Sequence, residues 1–419
     1  MIVREVFPNG LRVVTESMPD VRSVSVGVWL TRGSRHENIE RNGIAHFVEH
    51  MLFKGTDTRT AEDIAQAIDS IGGQLDAFTA KECASYYIKV LDEHLPLAFD
   101  ILSDLVLNPA FRHEDIEREK KVVLEEIKMV EDTPDDLVHE LFTQHFWGGH
   151  ALGRPILGNK DTIERLNQES LREYFRRVYT AGNFIISVAG NLEHDRVREL
   201  ISSAFGLVPL EDHLMESVIP VVTPKLIVRS KELEQSHICL GVDSYPQGHK
   251  DRYISYVLNT MLGGSMSSRL FQNIREKRGL AYAVASGLSA YRDAGALTVY
   301  AGCDSQVVGE VVDLVVEEVR GMRTAPIPEI EVRRAKDHLK GNLMLSLEDT
   351  ASRMAHMARQ ELCFGRQFDL DETLAGVESV TADDVQRVAR DLFGNGSLAA
   401  TILGPSVGLA LSDEQLKVG

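Results

Sequence analysis

The sequence predicts an α+β fold made of two similar halves. Three observations predict it: patterns typical of strands and of helices are mixed along the 419 residues, prolines interrupt the mid-chain segment 207–224, and the order of elements before this segment loosely repeats after it. We therefore place one domain at residues 1–215 and a second, similar domain at residues 216–419. A single long α+β domain is the alternative, because the halves share no strict sequence repeat.

The first half opens with a predicted hairpin, because Asn9-Gly10 separates two alternating runs. Thr60 and Asp63 form a capping-box pattern that begins a helix, and Gly72-Gly73 ends it. Apolar runs and helical periodicity predict the other elements of this half: strands at 24–30, 74–80, 85–90 and 184–190, and helices at 43–54, 95–107, 114–131 and 170–178.

The elements of the second half are predicted from the same signals. Gly263-Gly264 is interpreted as the end of a helix, because no glycine-rich phosphate-binding motif accompanies it. The predicted elements are strands at 226–229, 238–242, 281–289, 296–301 and 398–403, and helices at 253–262, 267–276, 307–322 and 329–363.

Composition excludes several classes of function. Acidic residues outnumber basic ones by 63 to 45, and the resulting charge of −18 repels phosphate groups, so we expect no nucleic-acid partner. No apolar stretch is long enough for a membrane span, and the N-terminus has no apolar core of signal-peptide length. The four cysteines include no C-x-x-C pair, which favours a reducing compartment.

The pattern His46-Phe-Val-Glu49-His50 is the candidate for chemistry. Four residues apart on a helix, His46 and His50 project from one face and can share a metal ion. Glu49 lies beside them, where it could bind the metal or deprotonate a metal-bound water. Two ordinary helix histidines, one exposed and one bonded to a carbonyl, are the alternative.

A catalytic zinc site needs a third protein ligand. The predicted helix at 114–131 offers Glu119 and Glu126 along one edge of its apolar stripe, whereas Glu125 points to solvent. Carboxylates at the margin of a buried face are costly unless a cation meets them. A solvated, charged flank of a long helix is the alternative.

Together these residues resemble the inverted-zincin peptidases, the family of pitrilysin, insulin-degrading enzyme and mitochondrial processing peptidase. The sequence is most similar to the bacterial branch that resembles the processing peptidase. The resemblance covers essentially the whole chain, through the segments GIAHFVEHMLFKGT, IGGQLDAFTAKE, VVLEEI, SSRLFQNIREKRGLAY and LMLSLEDTASRMA. It implies two similar α/β-sandwich domains, of the fold that LuxS and the processing peptidase share, which form half of a clam-shell chamber.

The resemblance implies a zinc endopeptidase with one zinc ion per chain, held by His46, His50 and Glu126. Glu49 would be the general base that deprotonates a metal-activated water, and Glu119 an accessory carboxylate that orients a ligand. The substrates would be unfolded oligopeptides or presequence-like segments.

The resemblance also implies where the substrate binds. The family's edge strand, which pairs with an extended substrate, matches residues 74–79 and supplies the substrate-binding residues Asp76, Ala77, Phe78 and Thr79. The family commonly has Asn at the position of Asp76. In the second half, Arg275 and Tyr282 match an arginine and a tyrosine that contact substrate and stabilise the tetrahedral intermediate.

Family members build a chamber from four such domains, so this two-domain chain is expected to form a homodimer or a heterodimer with a related chain. The bacterial cytoplasm is the expected compartment, with an organelle matrix as the alternative. The rival function is a non-catalytic scaffold or partner-binding subunit of the same fold. The complete set His46, Glu49, His50 and Glu126 favours the enzyme, because such inactive relatives lack a complete zinc motif.

Overall fold

The structure, a computed structural model, describes residues 2–210, 218–394, 396–405 and 411–418. Its strands, numbered in chain order, are β1 (Ile2–Val6), β2 (Arg12–Ser17), β3 (Ser23–Leu30), β4 (Gln74–Thr79), β5 (Ala84–Leu91), β6 (Phe184–Gly190), β7 (Leu226–Ser230), β8 (Ser236–Ser244), β9 (Ala281–Ala290), β10 (Gly295–Cys303) and β11 (Ala399–Gly404).

Helices connect these strands. They are α1 (Ile44–Leu52), α2 (Ala61–Asp69), α3 (Leu95–Leu107), α4 (His113–Asp132), α5 (Pro134–Phe146), α6 (Lys160–Arg165), α7 (Gln168–Val178), α8 (His194–Phe205), α9 (Arg252–Leu262), α10 (Val308–Thr324), α11 (Glu329–Ser346), α12 (Thr350–Phe364), α13 (Leu370–Glu378) and α14 (Ala382–Phe393), with a π-helical segment at Phe271–Glu276. Among the described residues, no helix is both long and apolar enough to cross a bilayer.

The chain forms two compact units that are interleaved in sequence. Unit 1 consists of Met1–Met129, Arg154–Ser217 and Leu345–Gln367, and unit 2 consists of Val130–Gly153, Val218–Met344 and Phe368–Gly419. Helix α5 therefore belongs to unit 2 and helix α12 to unit 1. The division into domains 1–215 and 216–419 stays a prediction about sequence segments, and its boundary lies outside the described residues. No single boundary in the sequence separates the two compact units, because each unit contains three separate segments of chain.

The prediction of one helix over 329–363 is wrong. Helix α11 ends at Ser346, and α12 begins at Thr350. Asp349 adopts an extended conformation between them, and its carboxylate accepts a hydrogen bond of 2.9 Å from the backbone N–H of Ser352. Asp349 is thus the N-cap of a new helix, a role that short polar side chains favour over the helix interior.

The sheet of unit 1 has the strand order β1-β2-β6-β3-β5-β4 within the described residues. Strands β2 and β6 are parallel, and the other neighbours are antiparallel. Both faces of β3 are buried. Val26 packs into the larger hydrophobic core of unit 1, whereas Trp29 points to the opposite face, against Met354 of α12. Gly27 lies where α12 crosses, because a Cβ there would be 2.4 Å from the Met354 sulfur.

The sheet of unit 2 has the order β7-β11-β8-β10-β9 within the described residues. Helices α9, α10 and α14 contribute to the core on one face, and α5 covers the other. Gly241 on β8 faces α5, since a Cβ there would lie 2.7 Å from the ring of Phe142. Gly241 corresponds in position to Gly27 on β3, and at both positions the missing side chain leaves room for a residue of the covering helix.

The two sheets share one topology, which confirms the prediction of two similar α+β domains. Strands β7, β11, β8, β10 and β9 repeat the order of β2, β6, β3, β5 and β4. In each unit the first pair of this set is parallel and the following three pairs are antiparallel. In each unit, a helix from a separate chain segment covers the second face of the sheet.

Candidate metal centre

Helix α1 divides its residues between the core of unit 1 and an open cleft. Its buried side chains, which include Phe47 and Met51, pack against the sheet. His46, Glu49 and His50 lie on the other side and are only partly exposed. The alternation follows from helical periodicity, so the apolar residues that fix the helix also fix the direction of its polar side chains.

Glu126 of α4 meets the two histidines. The carboxylate oxygen Oε2 of Glu126 lies 3.5 Å from His50 Nε2 and 3.9 Å from His46 Nε2. One donor atom from each of the three residues lies within 4.8 Å of the other two. Tetrahedral zinc with bonds of about 2.0–2.1 Å needs donor atoms roughly 3.3 Å apart, so a small movement of these side chains would hold the ion.

Two atoms of this group are buried without a hydrogen-bond partner among the described residues. They are Oε2 of Glu126 and Nδ1 of His46. A buried, unpaired carboxylate oxygen is costly, and the cost disappears when the oxygen coordinates a cation. The donor set of two imidazoles and one carboxylate is also a set found in catalytic zinc sites, so the residues present fit zinc.

Helix α4 presents its carboxylates as its periodicity predicts. Ile116, Glu119 and Val123 are buried, and Glu126 lies at the edge of the same face. Glu125 is exposed and pairs with Lys128 at 2.7 Å. The structure therefore separates the two adjacent glutamates, one turned to the histidines and one to solvent.

Glu119 contacts the ring nitrogen of His50 that does not face Glu126. Its Oε1 lies 2.8 Å from His50 Nδ1, and its Oε2 accepts a hydrogen bond of 2.8 Å from Lys54 Nζ. Burial alone would raise the pKa of this carboxyl, but the bonds to His50 and Lys54 outweigh burial and lower it. An ionised Glu119 accepts a hydrogen bond from the N–H at Nδ1 of His50. The lone pair of Nε2 is then free to bind a metal.

The two imidazoles have different electrostatic surroundings. Burial, followed by the nearby charge of His50, lowers the pKa of His46 to about 4, so its ring is neutral at pH 7. Burial also acts to lower the pKa of His50, but Glu119 and Glu126 outweigh it and raise the pKa. A divalent cation bound between the rings would take the place of the proton that these carboxylates favour.

Glu49 is held beside the metal group by β4. The hydroxyl of Thr79 donates a hydrogen bond to Oε2 of Glu49. Burial is the main reason why the pKa of Glu49 is raised, and the Thr79 bond opposes that shift. A carboxylate with a pKa moved towards neutrality and one oxygen fixed in place is suited to take a proton from water.

Strand β4 is the edge of the unit 1 sheet. It pairs with β5 on one side, and no strand in the described part of the chain pairs with its other side. Asp76 and Ala77 line a cleft of about 300 Å³ together with Glu49, His50 and Glu119. An open strand edge of this kind can align an extended peptide by main-chain hydrogen bonds.

The predicted substrate-binding residues of β4 differ in what they contact. Asp76 accepts hydrogen bonds from the backbone N–H of Ala77 at 2.8 Å and from the hydroxyl of Tyr87 at 3.0 Å. Phe78 packs edge-on against Trp29 with ring centroids 5.4 Å apart, so the side chain of Phe78 belongs to the packed face of the sheet. Any contact of Phe78 with a peptide would come from its main chain.

Arg275 and Tyr282 lie in unit 2, whereas the metal-binding group lies in unit 1. Within unit 2 they are neighbours, because the Arg275 guanidinium lies 5.2 Å from the centroid of the Tyr282 ring. Tyr282 is 78% exposed at the beginning of edge strand β9. The structure thus brings this pair together, and its part in catalysis stays a prediction.

Two contacts of this site are not predicted from the sequence. Lys54 lies in the segment GIAHFVEHMLFKGT, four residues after His50, but nothing in the sequence indicates its bond to Glu119. Thr79 was assigned to the substrate strand, whereas its hydroxyl orients Glu49. No local pattern shows that a strand residue will face a helix thirty positions earlier in the chain.

Comparisons with known proteins extend this description to the whole chain. Residues 12–160 match the insulinase family, peptidase family M16, and residues 165–339 match the M16 inactive domain. The uncharacterized zinc protease YmxG of Bacillus subtilis is 43% identical over 406 residues, which cover 97% of this chain and 99% of the relative. The chain belongs to peptidase family M16. An uncharacterized zinc protease of Streptomyces coelicolor is 41% identical over 96% of this chain and 89% of that relative.

Two solved structures show the same fold. The peptidase M16 inactive domain from Pseudomonas fluorescens superposes with a TM-score of 0.91 at 18% identity, over 97% of this chain and 98% of that one. A protease from Helicobacter pylori superposes with a TM-score of 0.88 at 21% identity, over 97% and 99%. His46, Glu49, His50 and Glu126 all lie within the region matched by the M16 insulinase family, and Arg275 and Tyr282 lie within the inactive domain.

Proposed function

We propose that the chain is a zinc endopeptidase that hydrolyses peptide bonds in unfolded oligopeptides or presequence-like segments. One observation carries this proposal. The His46, His50 and Glu126 donor atoms lie within 4.8 Å of one another, and the Glu126 oxygen has no other partner among the described residues. Relatives that are named uncharacterized zinc proteases, which this chain matches over 99% and 89% of their length, support the same chemistry.

A zinc ion held by His46, His50 and Glu126 would supply Lewis acidity, which would polarise the scissile carbonyl and make water more acidic. Glu49 takes a proton from the attacking water and passes it to the leaving amine, while Thr79 keeps the carboxylate aimed. Glu119 and Lys54 hold His50 in the tautomer that binds metal. The open edge of β4 aligns the peptide through its main chain, with Asp76, Ala77, Phe78 and Thr79 as the binding segment.

The proposal includes features of the assembled enzyme. Arg275 and Tyr282 would contact substrate and stabilise the negative charge of the tetrahedral intermediate. The chain would work as a dimer, either of two copies or with a related chain, with one zinc ion per chain. The bacterial cytoplasm would be its compartment, in agreement with bacterial relatives and with cysteines that form no disulfide among the described residues.

The test is a measurement of metal content together with peptide cleavage. The purified chain should contain about one zinc ion and cut a mixed peptide library, lose cleavage when a chelator removes the metal, and regain it with added zinc. A chain that holds no zinc and cuts nothing, while it still binds a partner protein, would instead be the non-catalytic scaffold.

A further inference from the structure

Helix α1 carries three residues of the proposed site, yet it lacks an ordinary N-cap. The residue before it, Gly43, has φ of 97°, and a Cβ there would lie 2.7 Å from the carbonyl oxygen of Leu157. Position 43 therefore excludes the Ser, Thr, Asp or Asn side chain that usually caps a helix. The first turn of α1 also contains no acidic residue.

Glu37 supplies the missing cap from outside the helix. Its Oε2 accepts hydrogen bonds from the Gly43 N–H and the Asn42 side-chain amide, each at 2.8 Å. Its Oε1 accepts a third bond of 2.8 Å from the N–H of Ala45, the neighbour of His46. Glu37 is only 6% exposed, so all three bonds are made away from solvent.

The segment around Glu37 is itself attached to the turn after β4. The N–H of Ser34 donates to the carbonyl of Ala80 at 3.0 Å, and the N–H of Arg35 donates to the carbonyl of Lys81 at 2.8 Å. Arg154 also donates to the backbone carbonyl of Glu37 at 3.0 Å. The same short segment therefore links the beginning of α1 to the end of the strand that presents Thr79.

We propose that Glu37 is a positioning residue of the metal centre: by binding the first turn of α1, it sets where His46 and Glu49 lie relative to Glu126 and Thr79. Glu37 touches neither the donor atoms nor the cleft, so its effect passes through the helix backbone. This inference rests on the proposed zinc site, and a shift of α1 by a fraction of an ångström would alter both coordination and the aim of the base.

The charge of Glu37 makes its role measurable. Burial raises its pKa to about 7, an effect that the bonds from Ala45, Asn42 and Gly43 and the charge of Lys81 only partly oppose. The other ionisable groups around it are Glu40, Arg41, Arg154, Glu173, Tyr174 and Arg177, several of which line a cavity of about 140 Å³ that Glu37 borders. Protonation near pH 6 turns one acceptor oxygen into a donor, so the cap weakens on the acid side.

The test compares zinc affinity in the wild type and in Glu37→Gln, measured by competition with a chromophoric chelator. A glutamine has one acceptor oxygen, so at least one of the three bonds is lost. We expect zinc binding by the variant to be about tenfold weaker at pH 8 and the ratio to approach one near pH 6, where wild-type Glu37 is itself mostly neutral. Titration of the zinc ligands affects both proteins and cancels in this ratio.

The matched control is Thr381→Ala, which removes the side-chain cap of α14 in unit 2, where the Thr381 hydroxyl accepts a bond of 3.2 Å from the Asp384 N–H. It should lower the unfolding temperature and leave zinc affinity unchanged at every pH. For peptide cleavage by Glu37→Gln, we expect kcat to fall about tenfold at pH 8 with KM unchanged, since position 37 does not reach the cleft.

Three results would overturn the proposal: wild-type zinc affinity in Glu37→Gln, a ratio independent of pH, or an effect limited to unfolding temperature as in the control. If Glu37→Gln does not fold, Asn42→Ala removes only one donor to the carboxylate and should weaken zinc binding about threefold at pH 8. Unchanged affinity in Asn42→Ala would then count against Glu37. A pH-dependent zinc effect in a chain without peptidase activity would reject the proposed function and keep the role of Glu37.

Discussion

At the scale of single residues, the proposed site assigns metal binding and proton transfer to different side chains. His46, His50 and Glu126 direct donor atoms at one another, whereas Glu49 is bonded to Thr79. Glu49→Gln should therefore keep about one zinc per chain and lose activity by about 100-fold or more, because the base is removed and the ligands remain. Metal content by mass spectrometry and initial rates on a quenched peptide measure both.

Two adjacent residues of α4 provide the contrast for this prediction. Glu126→Gln should lose most of its zinc, whereas Glu125→Gln should retain both zinc and activity, since Glu125 is exposed and bonded only to Lys128 among the described residues. Loss of zinc in Glu49→Gln would make Glu49 a ligand and would contradict the assigned roles.

Helical periodicity lets the sequence predict the direction of these side chains, whereas their roles are implied by the family resemblance. The spacing of His46 and His50 and the apolar stripe of α4 placed the side chains on the correct faces before any contact was known. The bond of Thr79 to Glu49 joins residues 30 positions apart, and the bond of Glu37 to Ala45 joins a loop to a helix eight positions later without a recognisable capping pattern. Such pairs depend on tertiary packing, which local patterns do not specify.

At the scale of elements, most strands and the helices that follow them could be predicted, but their assignment to units could not. The pattern over 329–363 is helical throughout, and only the Asp349 cap divides it. Amphipathic periodicity shows that α12 has an apolar face without showing which sheet covers that face. The sequence of α5, Pro134–Phe146, likewise does not show that this helix covers the sheet of unit 2.

The contact of α12 with β3 gives an element-scale prediction. Gly27→Ala should destabilise the protein by about 1–3 kcal/mol, because the new methyl would overlap the Met354 sulfur, 2.4 Å away. Gly341→Ala, within α11 and with no atom near its Cβ position among the described residues, should instead stabilise by about 0.5–1 kcal/mol. Thermal unfolding by calorimetry measures both signs.

A second substitution checks the cause of the Gly27 effect. Combining Gly27→Ala with Met354→Ala removes the overlapping side chain, so the pair should be less destabilised than the sum of the two single variants. Strict additivity, or a Gly27→Ala variant as stable as the wild type, would show that α12 does not pack as described.

At the scale of the whole molecule, the proposed pairing of substrate with the open edge of β4 would restrict which proteins can be cut. A peptide must offer unpaired backbone groups to β4, and a stable folded domain has already paired its own. We therefore expect a destabilised, unfolded variant of a small domain to be cut and the folded parent of nearly the same sequence to resist. Mass spectrometry of timed digests would record the sites, and equal cleavage of both forms would count against strand pairing.

The proposed dimer leads to the last prediction, since the proposed metal ligands lie in unit 1 and the Arg275–Tyr282 pair lies in unit 2. If Tyr282 completes the site of the partner chain, the homodimers of Glu49→Gln and of Tyr282→Phe should both be poorly active, because every site lacks one contributor. In a heterodimer of the two variants, the Tyr282→Phe chain offers an intact Glu49 and its partner an intact Tyr282. One of the two sites is then wild type, and about half of the normal activity per dimer should return.

The activity is measured on heterodimers purified with two different tags, after confirming that they are folded and loaded with zinc. If they remain as inactive as both parents, the site is completed within one chain, and residues of units 1 and 2 of the same chain must act together.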